Sequence, residues 1–441
     1  MALGWKLHGD GKSLTPGEVV KPDERLSWPR MVGFGAQHVI AMFGATFVFP
    51  LVMGLDANLA VMMSGVATII FLLIVQGKVP SYVGSSASFV GAVVAIRAGG
   101  GDSATVTGAL LAVGVVLAVV GLAIHLLGVR ILHRVFPPVV TGGVVMLIGF
   151  GMAYVAADVY WPQDPWVALL TMAATLVFIG VLRGFLGRIG VLLGLVFGFL
   201  LSWGWDAVGG MITAPDAGGK VSEHFRVNLD AVAQADWIGL PALHGPVFEA
   251  SAVVLVLPVV IALIAENVGH VKAVGEMTGA DVDAYMGKAV LADGVGTVVA
   301  TSVGGPATTT YAENIGVMAA TRVYSTAAYY IAAVIAILFG LCPKFGALIA
   351  ATPGGVLGGV TTILYGMIGL LGAKIWLENR VDLANPVNLL PTGAGIICAI
   401  GPVAFPITDT FALSGIALGT IVLLLGYHLL RLARRERPAH E

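Results

Sequence analysis

Three ionisable side chains lie where the surrounding sequence is strongly apolar or rich in small residues. Glu266 and His270 stand four residues apart, so a helix presents both on one face. Glu313 lies in a stretch of glycine, threonine and proline at 304–316. A carboxyl group removed from water takes up a proton more readily, and a carboxylate accepts hydrogen bonds from planar N–H groups. Glu266 and Glu313 therefore indicate binding of a small neutral molecule with N–H donors, coupled to a proton.

Other ionisable residues in apolar surroundings have more than one interpretation. Gln37 and His38 fit either a supporting role at the site or a hydrogen-bond clip between helices. Asp293 is expected to cap a neighbouring backbone group, and an interface position is the alternative for His270 and Asp409. An ionisable group inside a membrane is costly, so each of these residues is a candidate for function.

The composition indicates that lipid surrounds these groups. Of 441 residues, 58% are apolar and only 11% are charged, against about 25% charged in soluble chains. A soluble enzyme, a nucleic-acid binder and a disordered scaffold are excluded, and we predict an all-α polytopic membrane protein. Cys342 and Cys398 have no metal-ligand spacing and are expected to be buried thiols. Residues 1–30 lack the apolar core of a signal peptide and are predicted to be a cytoplasmic tail.

A helix needs about 20 apolar residues to cross a bilayer. Runs bounded by charges, proline or polar clusters predict fourteen spans, near 31–53, 57–76, 84–98, 104–128, 136–157, 165–183, 189–207, 247–270, 285–303, 307–320, 324–342, 350–372, 388–404 and 408–430. Residues 208–246 are predicted to be an extracytoplasmic connector. With both termini inside, most of the 23 Lys and Arg residues face the cytoplasm, as the positive-inside rule requires. The exceptions that fall outside are Arg97, Lys220, Arg226 and Lys344.

The chain also contains an internal repeat. The motif P-x-x-V-x-G-G-V begins at Pro137 in the fifth span and at Pro353 in the twelfth, about half a chain apart. Spans seven apart cross in opposite directions, so the motif predicts a 7+7 inverted repeat. The same pairing joins the third and tenth spans, whose glycine, proline and hydroxyl residues predict broken helices that line a binding site. Close helix packing through small residues is the alternative.

Three stretches together resemble the nucleobase–ascorbate transporter (nucleobase:cation symporter-2) family, in its uracil permease branch. They are 37–38, 265–270 and 308–325, and the resemblance extends over about residues 25–430. It implies two short antiparallel strands, one in each of the broken spans 3 and 10, beside the substrate. It also implies dimerisation and a division of the chain into parts. The implied parts are a core domain at 31–135 and 247–348, a gate domain at 136–207 and 349–430, and a cytoplasmic tail at 431–441.

The resemblance further implies roles for individual residues. Glu266 and Glu313 would hydrogen-bond a nucleobase, His270 would join Glu266 in proton coupling, and His38 would support the site from the first span. The implied substrate-binding residues are Glu266, Glu313, Ala312, Tyr311, Ala87, Ser86 and His38, with Gln37 and Asn314 in support. No metal and no cofactor are expected, with the proton as the coupling ion.

We therefore expect a proton-coupled uracil symporter in the cell membrane, not an enzyme, that works by alternating access as a homodimer joined through its gate domains. Ala87 and Ala312 stand where uracil carriers often have Phe and Gly, and the smaller residue at 87 enlarges the expected pocket. Thymine, xanthine or another base is therefore an alternative substrate. An inorganic-anion transporter or channel of the same 7+7 architecture is the other alternative, although two carboxylates would repel an anion.

Overall fold

A computed structural model describes residues 4–12, 14, 17–128, 134–216, 219–401, 403–408 and 411–435. The fold is mostly helical. The helices, in chain order, are α1 (Trp28–Val52), α2 (Ala57–Ile74), α3 (Val90–Ala98), α4 (Ser103–Leu127), α5 (Pro138–Gly151), α6 (Pro165–Val181), α7 (Gly184–Arg188), α8 (Gly190–Gly209), α9 (Asp230–Gln234), α10 (Ala250–Val256), α11 (Val259–Thr278), α12 (Asp283–Thr301), α13 (Ala312–Thr321), α14 (Thr326–Gly340), α15 (Pro343–Ala350), α16 (Gly354–Glu378), α17 (Pro386–Ile400) and α18 (Gly415–Arg435).

The strands are short and form four pairs. They are β1 (Lys6–Leu7), β2 (Glu24–Arg25), β3 (Val83–Ser85), β4 (Ile212–Pro215), β5 (Val221–His224), β6 (Thr308–Thr310), β7 (Ala404–Thr408) and β8 (Phe411–Ser414). β1 pairs with β2 in parallel, while β3–β6, β4–β5 and β7–β8 are antiparallel. The expectation of an otherwise all-α chain therefore missed three strand pairs. The pairs β1–β2 and β4–β5 lie outside the long apolar helices, where the search for spans carried no information. The apolar residues of β7 and β8 were assigned to the ends of two predicted helical spans.

Within the described residues, eight helical stretches are long and apolar enough to cross a membrane. A ninth is obtained if α14 and α15, which meet at an angle of 82°, count as one bent span. Shorter apolar helices occur at Ala87–Arg97, Pro165–Val181 and Pro386–Ile400. The chain is therefore a multi-pass membrane protein. The last helix begins at Gly415, later than the predicted start near 408, because the β7–β8 hairpin precedes it. Asp409 lies outside the described residues.

The helices pack mainly in two sets. In the first, α4 packs on α12, α2 packs on α12 and α14, and α1 packs on α14. In the second, α16 packs on α5 and α6, and α17 packs on α18 and α5. The close packing of these helices depends on glycine. For example, a Cβ at Gly121 of α4 would clash with the backbone of Leu291 on α12. The repeated motif has the same property, since Gly142 of α5 and Gly372 of α16 approach each other backbone to backbone.

The two broken segments meet in the interior of the first set. The β3–β6 ladder pairs Gly84 with Thr309 at its centre. A hydroxyl from a flanking helix holds each outer edge of this ladder. Thr68 of α2 accepts the N–H of Val83 at 2.9 Å, and Thr297 of α12 accepts the N–H of Thr308 at 3.0 Å. These bonds satisfy backbone groups that would otherwise be unpaired inside a membrane.

The N-terminal segment is folded, although the sequence suggested only a polar tail. Val20 is buried and forms a parallel bridge to Val323, with its N–H donating to Arg322 O at 2.9 Å. The Trp5 indole donates to Thr326 Oγ1 at 2.8 Å. Residues 5–12, 14 and 17–26 therefore cover the junction between α13 and α14, and these residues are called the N-terminal strap below. Its isolated apolar residues lack the periodicity of a span, so the sequence pattern did not reveal it.

The connector after α8 joins the two helix sets. Arg226 pairs with Asp164 at 2.7 Å and with Asp206 at 3.1 Å, at the ends of α6 and α8 in the second set. Only a few residues later, Val232 O accepts a hydrogen bond from Lys344 Nζ on α15 at 2.8 Å. The short helix α15 packs on α2 in the first set. Residues 226–232 therefore form a short bridge between the two sets.

Candidate functional site

Glu313 lies in the first turn of α13, immediately after strand β6. Its side chain is exposed, although the neighbouring Asn314 and Ile315 are buried. The exposure continues along one face of the helix through Gly316 and Ala320. The N–H groups in the first turn of a helix have no acceptor within the helix. The start of α13 therefore presents a carboxylate acceptor and backbone N–H donors side by side in an open crevice.

Glu266 lies on α11 and approaches the same region. Ser88, in the turn before α3, donates its hydroxyl to Glu266 Oε2 at 3.2 Å. Helix α11, which carries Glu266, packs against α13, which carries Glu313. Two carboxylates that face one space repel an anion and favour either a proton or a neutral donor between them. The structure thus brings together the two carboxylates that the sequence selected.

His270 lies one turn after Glu266 on α11. Its Nδ1 is 2.9 Å from Thr310 Oγ1, at the end of β6 that pairs with Val83. In the described structure the imidazole is therefore bonded to the strand and not to Glu266. This contact joins α11 directly to the backbone segment that leads into α13.

His38 is not on the open face of the site. It is buried, with 1% of its side chain exposed, and its ring lies 4.3 Å from that of Tyr329. Asn314 donates its amide Nδ2–H to His38 O at 2.9 Å and lies 3.1 Å from His38 Nδ1. His38 thus supports α13 from behind through Asn314, so a direct contact with substrate is not supported. The clip between helices is the interpretation that this geometry favours, whereas the adjacent Gln37 is only partly buried.

Tyr311 connects the two strands at their ends. Its hydroxyl donates to Ser85 O at 2.8 Å and accepts from Thr46 Oγ1 at 3.2 Å. The ring lies over Gly84, where an added Cβ would be 2.6 Å from Cζ. Tyr311 is 4% exposed, so it shapes the site without lining the crevice. Gly84 is required here because of close approach, a reason that the sequence alone did not supply.

Small residues begin the helical part of both broken segments. Ser86 accepts the Ser88 N–H on its hydroxyl at 3.3 Å and donates its own N–H to Ala307 O at 2.9 Å. Ala87 is 8% exposed, and Ala312 is partly buried at the start of α13. One turn beyond Ala87, a cavity of about 70 Å³ begins at Gly91 and extends between α3, α5, α11 and α18. This cavity therefore lies at the boundary between the two helix sets.

Asp293 lies buried close to the first carboxylate. It was expected to cap a backbone group; its Oδ2 accepts the Asn267 Nδ2–H at 2.7 Å, and the carboxylate also interacts with the backbone N–H of Thr310. It is 1% exposed, and Oδ1 has no hydrogen-bond partner within the described residues. Asn267 is adjacent to Glu266, so Asp293 stabilises the helix face that carries the first carboxylate. The available signal was an acidic residue in the middle of an apolar segment. Within the part of the chain that the structure describes, no group of three His, Cys, Asp or Glu side chains could hold a metal ion.

The Xan_ur_permease model, described as "Permease family", matches residues 30–408 of this chain. The chain belongs to the permease family. The match includes α11, both broken segments and the helices that hold them. As a permease, the chain is a transporter and not an enzyme.

Individual relatives of this permease match over nearly the whole chain. It is 42% identical over 428 residues to the permease RutG of Escherichia coli K12, with 96% of this chain and 93% of RutG covered. It is 36% identical to the uracil permease of Bacillus caldolyticus, with 92% and 93% covered. It is 34% identical to the uracil permease of Bacillus subtilis, with 93% and 94% covered.

Solved structures of other transporters share the fold of this permease. The murine anion transporter Slc26a9, in its inward-facing state, matches with a TM-score of 0.64 at 10% identity over 92% of this chain and 69% of that chain. The transmembrane domain of the cyanobacterial bicarbonate transporter BicA matches with a TM-score of 0.59 at 17% identity, over 90% and 96%. At these identities the likeness concerns the fold alone.

Proposed function

We propose that this permease is a proton-coupled nucleobase symporter, with uracil as its first substrate. Uracil is small, neutral and planar, with two N–H donors and two carbonyl acceptors on its edge. Glu266 and Glu313 supply acceptors, and the first turn of α13 supplies backbone N–H donors. The relatives named uracil permease at 34–36% identity point to the same class of substrate. The observation that carries the proposal is that two carboxylates converge on one open crevice within the membrane fold.

The proton would bind at the same carboxylates. Two carboxylates in one space repel each other when both are ionised, so uptake of one proton lowers this repulsion and favours binding of the substrate. The neutral carboxyl then gains a donor for a substrate carbonyl. Glu266 carries the proton in this account, and His270 responds through its contact with Thr310.

The proposed transport cycle uses the two helix sets. The first set corresponds to a core domain that carries the site, and the second to a gate domain against which it moves by alternating access. We propose fourteen spans in a 7+7 inverted repeat with both termini in the cytoplasm, and a homodimer formed through the gate domains. The similar contacts of Thr68 and Thr297 with the two strands, and the motif that begins at both Pro137 and Pro353, support the repeat.

The proposal is tested by uptake of labelled uracil into proteoliposomes that contain the purified protein. We expect uptake to rise when the outside is made acidic and to fall to background with an uncoupler. Glu266→Gln and Glu313→Gln should each abolish accumulation. Glu276→Gln is the matched control, because Glu276 is an exposed acidic residue further along the same helix α11.

Two results would contradict the proposal. Uracil accumulation that is unchanged by an uncoupler would exclude proton coupling. A chloride or bicarbonate flux that survives Glu266→Gln, without any uracil uptake by the unaltered protein, would favour an anion transporter of the same fold. A panel with thymine and xanthine measures how far the substrate range extends.

A further inference from the structure

A polar cleft lies at one end of the second helix set, far from the carboxylates. It has a volume of about 270 Å³ and lies where α17 begins and α18 ends. The residues that line it are Asn385, Val387, Asn388, Tyr427, Arg431 and Arg434. This volume is ample for a phosphate group with its attached ester oxygens. Neither the fold similarity nor the transport proposal gives this cleft a role.

Among the residues that the structure describes, the charge of the cleft is positive and no acidic side chain lines it. Arg434 donates one N–H to Asn385 Oδ1 at 2.7 Å, which leaves most of the five guanidinium donors free. Arg431 is partly buried and has no ion-pair partner within the described residues. By contrast Lys374, on α16, pairs with Glu378 at 3.6 Å in full exposure.

The surroundings of the cleft place it at the depth of lipid headgroups. It adjoins the apolar helices α17 and α18, whose Leu389, Leu390 and Leu429 are exposed on the outer surface. On the topology proposed above, the end of α18 faces the cytoplasm, where the leaflet carries anionic lipid. Arginine binds phosphate oxygens with paired, geometrically matched N–H groups. Basic clefts between membrane helices on this side suit anionic headgroups.

We propose that this cleft binds the phosphate of an anionic phospholipid headgroup, with Arg431 and Arg434 as its ligands. The bound headgroup joins the start of α17 to the end of α18. Both helices pack on α5, so occupancy stabilises the second helix set as a unit. A free phosphate ion offers the same chemistry, and the two sources differ in whether acyl chains contribute.

The experiment measures the melting temperature of the full-length protein in a zwitterionic detergent. The added probes are phosphatidylglycerol, phosphatidylcholine and inorganic phosphate, each titrated separately. We expect phosphatidylglycerol to raise the melting temperature, with half-saturation shifted about tenfold or more by Arg431→Gln together with Arg434→Gln. Lys374→Gln is the matched control, because it removes an exposed charge near the same end of the protein without entering the cleft.

Each outcome decides the proposal. An equal response of the double variant and the unaltered protein to phosphatidylglycerol would overturn it, as would an equal response to phosphatidylcholine. If inorganic phosphate raises the melting temperature at the same concentrations as lipid, and the double variant loses this rise, the ligand is free phosphate and not a lipid. That result would overturn the proposal. If the double variant does not fold, Arg431→Gln alone is used, since Arg431 has no ion-pair partner among the described residues to lose. Lipid retention is then counted by native mass spectrometry, and unchanged retention overturns the proposal.

Discussion

In the third segment, strand β3 leads through a tight turn into the short helix α3, and in the tenth, strand β6 leads directly into α13. The two backbones are alike, and a threonine on the preceding helix holds each strand. Their side chains differ. The third segment presents Ser86, Ala87 and Ser88, whereas the tenth presents Tyr311 and Glu313. The third segment therefore provides space and backbone groups, and the tenth provides the carboxylate.

The far ends of the two segments are also held differently. At the end of α3, the guanidinium of Arg97 donates to Gly54 O at 2.9 Å and to Ser103 Oγ at 2.8 Å. At the end of α13, the backbone of Arg322 and Tyr324 bonds to Val20 of the N-terminal strap. A side chain holds one end, and a separate chain segment holds the other. Two segments with similar backbones are thus anchored by different means.

The largest expected difference between the segments concerns charge. Glu313→Gln removes a charged hydrogen-bond acceptor and should lower uracil uptake at least about 100-fold, from roughly 3 kcal/mol of lost interaction. Ser88→Ala removes only the hydroxyl that orients Glu266, so we expect a loss of about tenfold or less. Initial uptake rates at equal protein amounts measure both variants. Equal losses would show that the two segments do not divide the chemistry in this way.

The second prediction concerns the close approach at Gly84. Gly84→Ala places a methyl group 2.6 Å from Tyr311 Cζ and should lower the free energy of unfolding by about 1–3 kcal/mol. Thr309, which pairs opposite Gly84, has a hydroxyl with no hydrogen-bond partner within the described residues, so Thr309→Ala should have little effect. Thermal melts in detergent compare the two variants. A stable Gly84→Ala protein with normal uptake would mean that the ring of Tyr311 is free to move.

The third prediction concerns space at Ala87. Replacement by Phe fills the volume at the start of the helical turn, and should exclude larger bases more strongly than uracil. We expect the ratio of xanthine to uracil uptake to fall by roughly tenfold, the usual scale for a steric change in a pocket. Competition of labelled uracil uptake by unlabelled bases measures the ratio. Ala87→Val is the control of intermediate size, and an unchanged order of competitors would place Ala87 outside the pocket.

The fourth prediction compares the two threonines that hold the strands. Thr68→Val and Thr297→Val preserve shape but leave a strand N–H unpaired, so each should destabilise the protein by about 1–3 kcal/mol. Thr301→Val is the control, since Thr301 bonds only within its own helix, to Thr297 O at 2.8 Å. Chemical denaturation followed by tryptophan fluorescence measures all three. Unequal effects at 68 and 297 would show that one strand depends less on its neighbouring helix.

The smallest expected effect concerns the N-terminal strap. Burial acts to raise the pKa of Glu24, but the Lys21 N–H and His8, 2.8 Å away, outweigh it and hold that pKa below its usual value. The carboxylate form is therefore favoured in the docked strap. Its contribution to docking is present above the unfolded pKa and is lost as the pH falls through the lower folded pKa, below about pH 4.

Hydrogen exchange of residues 6–25, corrected for intrinsic rates, measures this loss of docking. Glu24→Gln should remove the pH dependence while leaving exchange at neutral pH slightly faster. Protection that stays constant between pH 3 and pH 6 would contradict a role for Glu24.

The candidate site was accessible from the sequence because its signals are local. Glu266 and Glu313 are rare charges in apolar or small-residue surroundings, and helical spacing or strand boundaries place them without knowledge of the fold. The contacts of Gly84 with Tyr311 and of Asp293 with Asn267 were not predicted, because these residues approach one another only after folding. Whether His38 supports the site or forms a clip between helices was left open for the same reason.

Much of the membrane architecture also followed from hydropathy and charge, whereas the segments outside it did not. The N-terminal strap and the Arg226 bridge depend on contacts between residues far apart in the chain. The β7–β8 hairpin is local, but its apolar residues were assigned to the ends of two predicted spans. Arg226, for example, looks like any surface arginine until Asp164 and Asp206 are brought beside it. Polar segments have no periodic sequence pattern from which such ion-pair partners could be predicted.

A cryo-electron microscopy structure of the protein with bound uracil tests the central claim most directly. The account predicts density for the base between the start of α3 and the start of α13. Its N–H groups should lie about 2.7–3.2 Å from carboxylate oxygens of Glu266 and Glu313. Density for the base elsewhere, for example in the cavity beside Gly91 and Ile416, with neither carboxylate in contact, would contradict it.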